Sequence, residues 1–238
     1  MSIAFEKGFV MSFRAVIFDV DGVIIDTAHI HHLSWREVFK KYGVNNFTFS
    51  DFKEKIDGMP REKGVMKILP GIKPAEVKKI AAMKQFYFSK FLKEKKVKIF
   101  CSTIRLIRTC RKKGIKTAMA SSSRNARPIL IREGLFKLFD ADAKGAYIKK
   151  GKPFPDIFLR AAALLKVKPA ECVVFEDAPA GIRAAVSAGM KSVGVDRDGK
   201  QCFTGADMVV TDLSEVSFEK LCRFFCGKKG MSRIKRKK

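Results

Sequence analysis

Short apolar runs recur along the chain, and segments with helical periodicity fill the intervals between them. The runs are FRAVIFD (13–19), IKTAMAS (115–121), ECVVFED (171–177), KSVGV (191–195) and ADMVVTD (206–212). Such runs, bounded by polar residues and alternating with helical segments, predict the strands of a parallel sheet in an α/β fold. Four of the five end in, or at, a polar residue. Ligands of open parallel sheets bind beyond the carboxyl ends of the strands. Asp19, Ser121 and Asp177 are therefore expected to converge on one crevice.

Between about 28 and 98 the texture changes to Lys- and Phe-rich helical sequence with no clear strand. HIHHLSWREVFKKYG sets His31, Trp35, Val38 and Tyr42 on one stripe at helical spacing and stops at Gly43. KPAEVKKIAAMKQFYFSKFLKEK predicts a second long helix. The segment is expected to be a helical insertion after the first strand, entered near Asp26–Ala28, left near Lys96, and suited to act as a lid. The expected organisation is an α/β core over 12–27 and 97–226, a helical cap over 28–96 and a basic C-terminal tail over 227–238.

Composition narrows the class. The chain has 238 residues, 47% of them hydrophobic, enough for a sizeable core. No apolar run approaches the roughly 20 residues that span a bilayer, and the N-terminal MSIAFEKGFVMSF lacks the features of a signal peptide. Cysteines at 101, 110, 172, 202, 222 and 226 form no C-x-x-C pair and read as reduced thiols of a cytoplasmic protein. Cys222 and Cys226, one helical turn apart, fall short of a metal site by two ligands and read as packing residues. The formal net charge of +25 fits solvated faces plus a frayed tail, or attraction to anions such as nucleic acid, membrane or phosphorylated metabolites. The tail has no interleaved aromatics to stack on bases, so a nucleic-acid partner is not expected.

The stretch VIFDVDGVIIDTAHIHH carries the first chemistry. Asp19 and Asp21 project to the same side of an extended strand end, and Gly22 lets the backbone turn sharply. Carboxylates so close repel unless a cation or a shared proton intervenes, and Mg²⁺ with its oxygen ligands suits the role; a turn with surface carboxylates is the plainer reading. Three further stretches tip the balance. MASSSRNA ends a strand in hydroxyls and opens a helix, whose N–H groups and dipole favour phosphate. KKGKPFPD places Lys152 ahead of Pro153 and Pro155, just before a helix. VVFEDAPAG puts Glu176 and Asp177 at a strand end.

With these motifs in this order the chain resembles the haloacid dehalogenase (HAD) superfamily of phosphotransferases, over roughly residues 12–212. The resemblance implies a doubly wound, Rossmann-like parallel-sheet core with an inserted helical cap, and Mg²⁺ as cofactor. It implies Asp19 as the nucleophile that becomes an aspartyl-phosphate, Asp21 as general acid/base, Ser121 as a hydrogen-bond donor to the phosphoryl group and Lys152 as the neutralising charge. Mg²⁺ would be held by Asp19, Asp177, Glu176 and the backbone carbonyl of Asp21. Carboxylate nucleophile, metal and lysine together meet what phosphoryl transfer between anions needs.

Within the superfamily the details are similar to β-phosphoglucomutases and related sugar-phosphate phosphatases. DGVIIDTAHIHHLSW supplies His31 and Trp35; GMPRE supplies Arg61, which would grip the phosphate not being transferred; SSSRN supplies Ser122, Arg124 and Asn125; AAMKQ supplies Lys84. Bidentate arginine suits a second phosphate site. Taken one at a time, His31 reads as a cap-core histidine, Trp35 as packing and Arg61 as a helix-start charge. The return segment KIFCSTIRLI lacks the Pro-Gly turn of the mutases, and FEDAPAG fits the phosphatases at least as well. The expected activity is thus interconversion of β-glucose 1-phosphate and glucose 6-phosphate by a monomeric enzyme, with sugar-phosphate hydrolysis as the alternative. A basic nucleic-acid-associated protein on the same fold is the remote one.

Overall fold

The apolar runs pair as a six-stranded sheet in a computed structural model that describes residues 13–57, 59–144 and 148–226. The basic tail 227–238, the side chain of Cys226 and the N-terminal stretch to residue 12 lie outside the described residues. In chain order the elements begin with β1 (Ala15–Phe18), β2 (Ile25–Asp26), α1 (Ala28–Lys40), α2 (Phe49–Asp51), α3 (Arg61–Ile68), α4 (Pro74–Glu94) and β3 (Lys98–Ile99). They continue with α5 (Cys101–Lys112), β4 (Lys116–Ser121), α6 (Ala126–Arg132), β5 (Ala141–Lys144), α7 (Asp156–Leu165), β6 (Cys172–Glu176), α8 (Pro179–Ser187), β7 (Lys191–Val195), β8 (Met208–Val210) and α9 (Phe218–Cys226). No helix among the described residues is long and apolar enough to cross a membrane.

The sheet order is β5-β4-β1-β6-β7-β8, and every pairing is parallel. The chain winds outward from β1 first through β4 and β5, then through β6, β7 and β8. β1 thus lies between β4 and β6 where the winding direction reverses, the place where such sheets open a crevice. The register Phe18↔Met119 and Phe18↔Phe175 brings the carboxyl ends of all three strands level. Asp19, Ser121 and Glu176 consequently share one rim.

Both faces of the sheet are buried, which explains why its strands read as unbroken apolar runs. On one face Ala15 and Ile17 of β1, Ala118 and Ala120 of β4, and Cys172 and Val174 of β6 pack with Phe158 and Ala162 of α7 and Ala184 and Ala185 of α8. Alternation sends Val16, Phe18 and Phe175 to the opposite face. There Phe18 and Phe175 stack with centroids 4.7 Å apart and planes 7° apart. Cys110 and Cys172 are buried thiols whose pKa burial pushes up to about 12, so both behave as apolar residues.

β5 was not among the predicted strands. Its sequence, ADAK, is short and half polar, and it sits at the sheet edge where only one neighbour has to be satisfied. A second departure is the antiparallel pair β2–β3, with Ile25 opposite Ile99 and Asp26 opposite Lys98, in a stretch whose texture predicts helix alone. Two-residue strands carry no periodicity to read.

The chain divides into two compact units, one built from residues up to Ile24 and from Phe100 onward, the other from Ile25–Ile99. The second unit has its own core: Trp35, Val38 and Phe39 of α1, Phe47, Phe52 and Ile56 of the following segment, Val65 of α3, and Val77 and Ile80 of α4. The carboxylate of Asp26 accepts from Ala28 N–H at 3.0 Å and so starts α1, while Gly43 takes φ +84° just beyond its end, as its position as a stop signal predicts.

Replacing the fully buried Phe175 by Ala is expected to cost about 3–5 kcal/mol in urea-induced unfolding. Val209→Ala on edge strand β8, at 51% exposure, should stay within about 0.5 kcal/mol of the parent.

Candidate active site

Asp19 follows β1 directly and is 7% exposed; its N–H donates to the Phe175 carbonyl at 2.9 Å, which anchors it to β6. Val20 to Ile24 then close a tight turn, Ile24 N–H donating to the Val20 carbonyl at 2.9 Å, with Asp21 inside it. Gly22 takes φ +77°, and a Cβ there would stand 1.8 Å from Oδ2 of Asp177. Glycine is needed twice over: for the backbone angle and because the backbone passes against a carboxylate.

Lys152 joins the strands' acidic ends. Its Nζ donates to Asp19 Oδ1 at 2.5 Å and forms an ion pair with Oε1 of Glu176. Pro155 precedes α7 as its N-cap and fixes where the lysine leaves the backbone. Glu176 is completely buried, its other oxygen accepting from Ala178 N–H at 2.9 Å. A Cβ on Gly181 of α8 would lie 2.0 Å from that carboxylate, so this glycine is what lets the helix approach it.

The charges do not cancel. Burial pushes the Asp19 carboxyl up to about 7; Lys152 opposes the rise, and Glu176 and Asp21 add to it. Asp177 is likewise held well above the usual carboxylate range by burial, then by Glu176 and Asp19. Burial works against the charge on Lys152, but Asp19 and Glu176 outweigh it and raise its pKa. Four carboxylates thus surround one ammonium, and the site is short of positive charge.

Oxygen donors in such a cluster fit a hard divalent cation. Among the described residues no three His, Cys, Asp or Glu side chains form a complete metal cage. Mg²⁺ does not need one, because it is held by one or two carboxylates with phosphate oxygens and water. The residues that would hold it are Asp19 and Asp177, with the Asp21 backbone carbonyl; Glu176, also expected as a ligand, has one oxygen paired with Lys152 and the other accepting from Ala178 N–H.

Ser121 ends β4 and is buried, its hydroxyl oxygen accepting from Ser123 N–H at 3.0 Å. Ser123 Oγ accepts in turn from Asn125 N–H at 3.2 Å, shaping the turn into α6. Ser122 and Arg124 are exposed on that turn, and Asn125 is half-buried at the cap of α6.

The remaining predicted residues belong to the inserted unit. Lys84 of α4 is 2% exposed and its Nζ donates to Nδ1 of His31 at 2.5 Å. An ammonium has no lone pair, so Nδ1 accepts and the imidazole proton lies on Nε2. The same Nζ lies 4.7 Å from the Phe88 ring centre and 5.6 Å from that of Trp35. Trp35 is buried and stacks on Phe39 at 4.9 Å. Arg61, the first residue of α3, donates to Gln85 Oε1 at 3.1 Å. Burial, then Lys84 and Arg61, hold the His31 pKa well below its ordinary value, so the ring is neutral at pH 7.

Gly181, Gln85 and Phe88 were missed by the motif reading. Gly181 carried a signal, lying five residues beyond Glu176 in a Gly-containing helix start. Phe88 lies one helical turn beyond Lys84 on α4, a spacing that names no partner, and Gln85 pairs with Arg61 of another helix, which no local pattern shows.

Residues 13–189 match the haloacid dehalogenase-like hydrolase family, and the chain belongs to it. Membership makes it an enzyme of the hydrolase and phosphotransferase class and implies a Mg²⁺-dependent aspartyl-phosphate mechanism. Within the family it is similar to the β-phosphoglucomutase of Bacillus subtilis, at 40% identity over 219 residues, covering 87% of this chain and 93% of that one. The crystal structure of β-phosphoglucomutase from Clostridium difficile superposes with a TM-score of 0.76 at 32% identity, covering 90% of this chain and 97% of that one. A phosphorylated-carbohydrate phosphatase of Thermotoga maritima is 34% identical over 187 residues, covering 76% and 83%. The relatives therefore divide between mutases and phosphatases.

Because native His31 stays neutral while the unfolded ring protonates near pH 6.5, the unfolded chain gains protons first as pH falls. Stability is expected to drop as pH falls below about 6.5, with a slope of at most about 1.4 kcal/mol per pH unit. His31→Gln, which keeps a neutral acceptor for Lys84, should flatten the melting-temperature profile between about pH 7.5 and 5.5. Parallel profiles for the two proteins would remove His31 as the cause.

Proposed function

We propose that the protein interconverts β-glucose 1-phosphate and glucose 6-phosphate by way of an aspartyl-phosphate on Asp19. The observation that carries this reading is the similarity to the Bacillus subtilis β-phosphoglucomutase, 40% identical over 87% of this chain and 93% of that one. The cationic group of Arg61, Lys84 and neutral His31 on the inserted unit supports it, since a mutase must bind a second phosphate.

In this reading an oxygen of Asp19 attacks phosphorus in line, and the bond from phosphorus to the sugar oxygen breaks as Asp21 protonates that oxygen. Asp21 then takes the proton of the accepting sugar hydroxyl, which attacks the aspartyl-phosphate and frees Asp19. Ser121 donates to the phosphoryl oxygens. Lys152 neutralises charge between nucleophile and phosphate and is itself held by Glu176. Mg²⁺, held by Asp19 and Asp177, would supply the positive charge the cluster lacks. On the inserted unit, Arg61 and Lys84 would bind the phosphate that stays on the sugar, with Trp35 packing against Lys84; on the core unit, Ser122, Arg124 and Asn125 at the turn into α6 offer further phosphate-binding groups. Water exclusion decides whether the acceptor is a sugar hydroxyl.

The second reading is hydrolysis of a sugar phosphate with the same first step and water as acceptor. The similarity to the Thermotoga maritima phosphatase supports it.

The test supplies β-glucose 1-phosphate, Mg²⁺ and a trace of glucose 1,6-bisphosphate, and follows glucose 6-phosphate and inorganic phosphate together. Glucose 6-phosphate without matching phosphate release is expected; stoichiometric phosphate release would make the protein a phosphatase. Asp19→Asn should reduce turnover at least about 10⁴-fold. Arg61→Ala should lower kcat/KM about 10–100-fold for the bisphosphate, the worth of a charge-assisted contact. It should leave p-nitrophenyl phosphate, which carries one phosphate, within about threefold. Equal losses on both would remove Arg61 from the second phosphate site.

A further inference from the structure

Beyond the motif residues, Arg197 makes a set of contacts that the phosphoryl-transfer reading leaves unexplained. It lies two residues past the end of β7, on the carboxyl rim of the sheet. Its Nε donates to the Gly22 carbonyl at 2.8 Å, and one terminal nitrogen donates to the Val23 carbonyl at 3.3 Å. The other terminal nitrogen donates to Asp212 Oδ2 at 2.6 Å. The guanidinium carbon, Cζ, sits 3.4 Å from the centre of the Phe100 ring.

The partners of these partners close the network. Asp212 Oδ2 also accepts from Ser102 Oγ at 2.9 Å, and its Oδ1 accepts from Ser214 N–H at 2.8 Å. The Val23 carbonyl also accepts from Thr103 Oγ1 at 2.7 Å. Phe100 N–H donates to the Ile24 carbonyl at 3.0 Å. Arg197 is thus bound to the segment on which the chain leaves the core unit, at Gly22 and Val23, and to the segment on which it returns, at Phe100.

We infer that Arg197 is a positioning residue for the turn that carries Asp21. The carbonyls of Gly22 and Val23 lie within the turn that carries Asp21, and such groups need donors when buried. Arg197 donates to the Gly22 carbonyl and shares the Val23 carbonyl with Thr103, from one planar fork that also pairs with Asp212 and lies against Phe100. Opposite it, the Cα of Gly22 abuts the carboxylate of Asp177. The turn is therefore gripped from two sides, and the direction of Asp21 follows from it. A lysine at 197 would keep the ion pair to Asp212 and lose the fork. The consequence for catalysis rests on the proposed role of Asp21 as acid/base; the consequence for the turn does not.

The test compares the full-length protein with Arg197→Lys and Arg197→Gln, the second serving if the first folds poorly. Hydrogen exchange of the Val20–Ile24 amides should accelerate about tenfold or more in both, while exchange in β4 and β6 stays at parent rates. With Mg²⁺ and β-glucose 1-phosphate, kcat should fall about 100-fold with KM within about threefold, as for a displaced catalytic group. That split, with kcat per folded molecule lost and KM kept, is one that a plain loss of stability would not produce. Unchanged exchange in the Val20–Ile24 turn, or a uniform rise across the sheet, overturns the inference. If the parent shows no turnover but the turn alone loosens in the variants, the clamp stands and the phosphoryl-transfer reading fails.

Discussion

Lys152, bridging Asp19 and Glu176, is the contact on which the arrangement of the core unit turns. It draws together carboxylates from the ends of β1 and β6, and that requires β1 to sit beside β6 with the two strands ending level. One ammonium is not enough to offset the cluster, and burial leaves Asp19 and Asp177 with raised pKa values. The glycines follow from the same crowding. Gly22 and Gly181 stand where any Cβ would meet a carboxylate, so backbone rather than side chains encloses the acidic group.

The inserted unit has the opposite electrostatics. There the imidazole of His31 is driven toward neutrality by burial and by the cations Lys84 and Arg61. One unit thus concentrates negative charge that resists ionisation, and the other concentrates positive charge that resists further protonation. A divalent cation would relieve the first, and in the proposed function a phosphate would relieve the second. Both are components of phosphoryl transfer between sugars, and the division of the relatives between mutases and phosphatases is compatible with one shared first step.

The α/β class, the five strands with long apolar runs, the two long helices of the insertion and the four motifs were all legible in the chain, because each is a local pattern. Strand runs declare themselves when both faces are buried, and α1 and α4 declare themselves by their 3.6-residue period. β5 did not, since an edge strand in which alanines alternate with Asp and Lys has no such run. The β2–β3 pair did not either, since two residues cannot show a period. The polar strand ends pointed to one crevice because sheet geometry forces parallel strands to end on a common rim.

Which side chain meets which was decided by the tertiary structure. Asp19 and Lys152 are 133 residues apart, His31 and Lys84 are 53 apart, and Arg197 and Gly22 are 175 apart. No local pattern encodes such pairs, because each depends on strand order and register rather than on spacing along the chain. The same holds for charge state: Asp19 and His31 have ordinary local sequences, and burial among particular neighbours shifts them. Residue types at strand ends told which chemistry was available; packing determined how those residues are paired, how they ionise and what holds the turn of Asp21 in place.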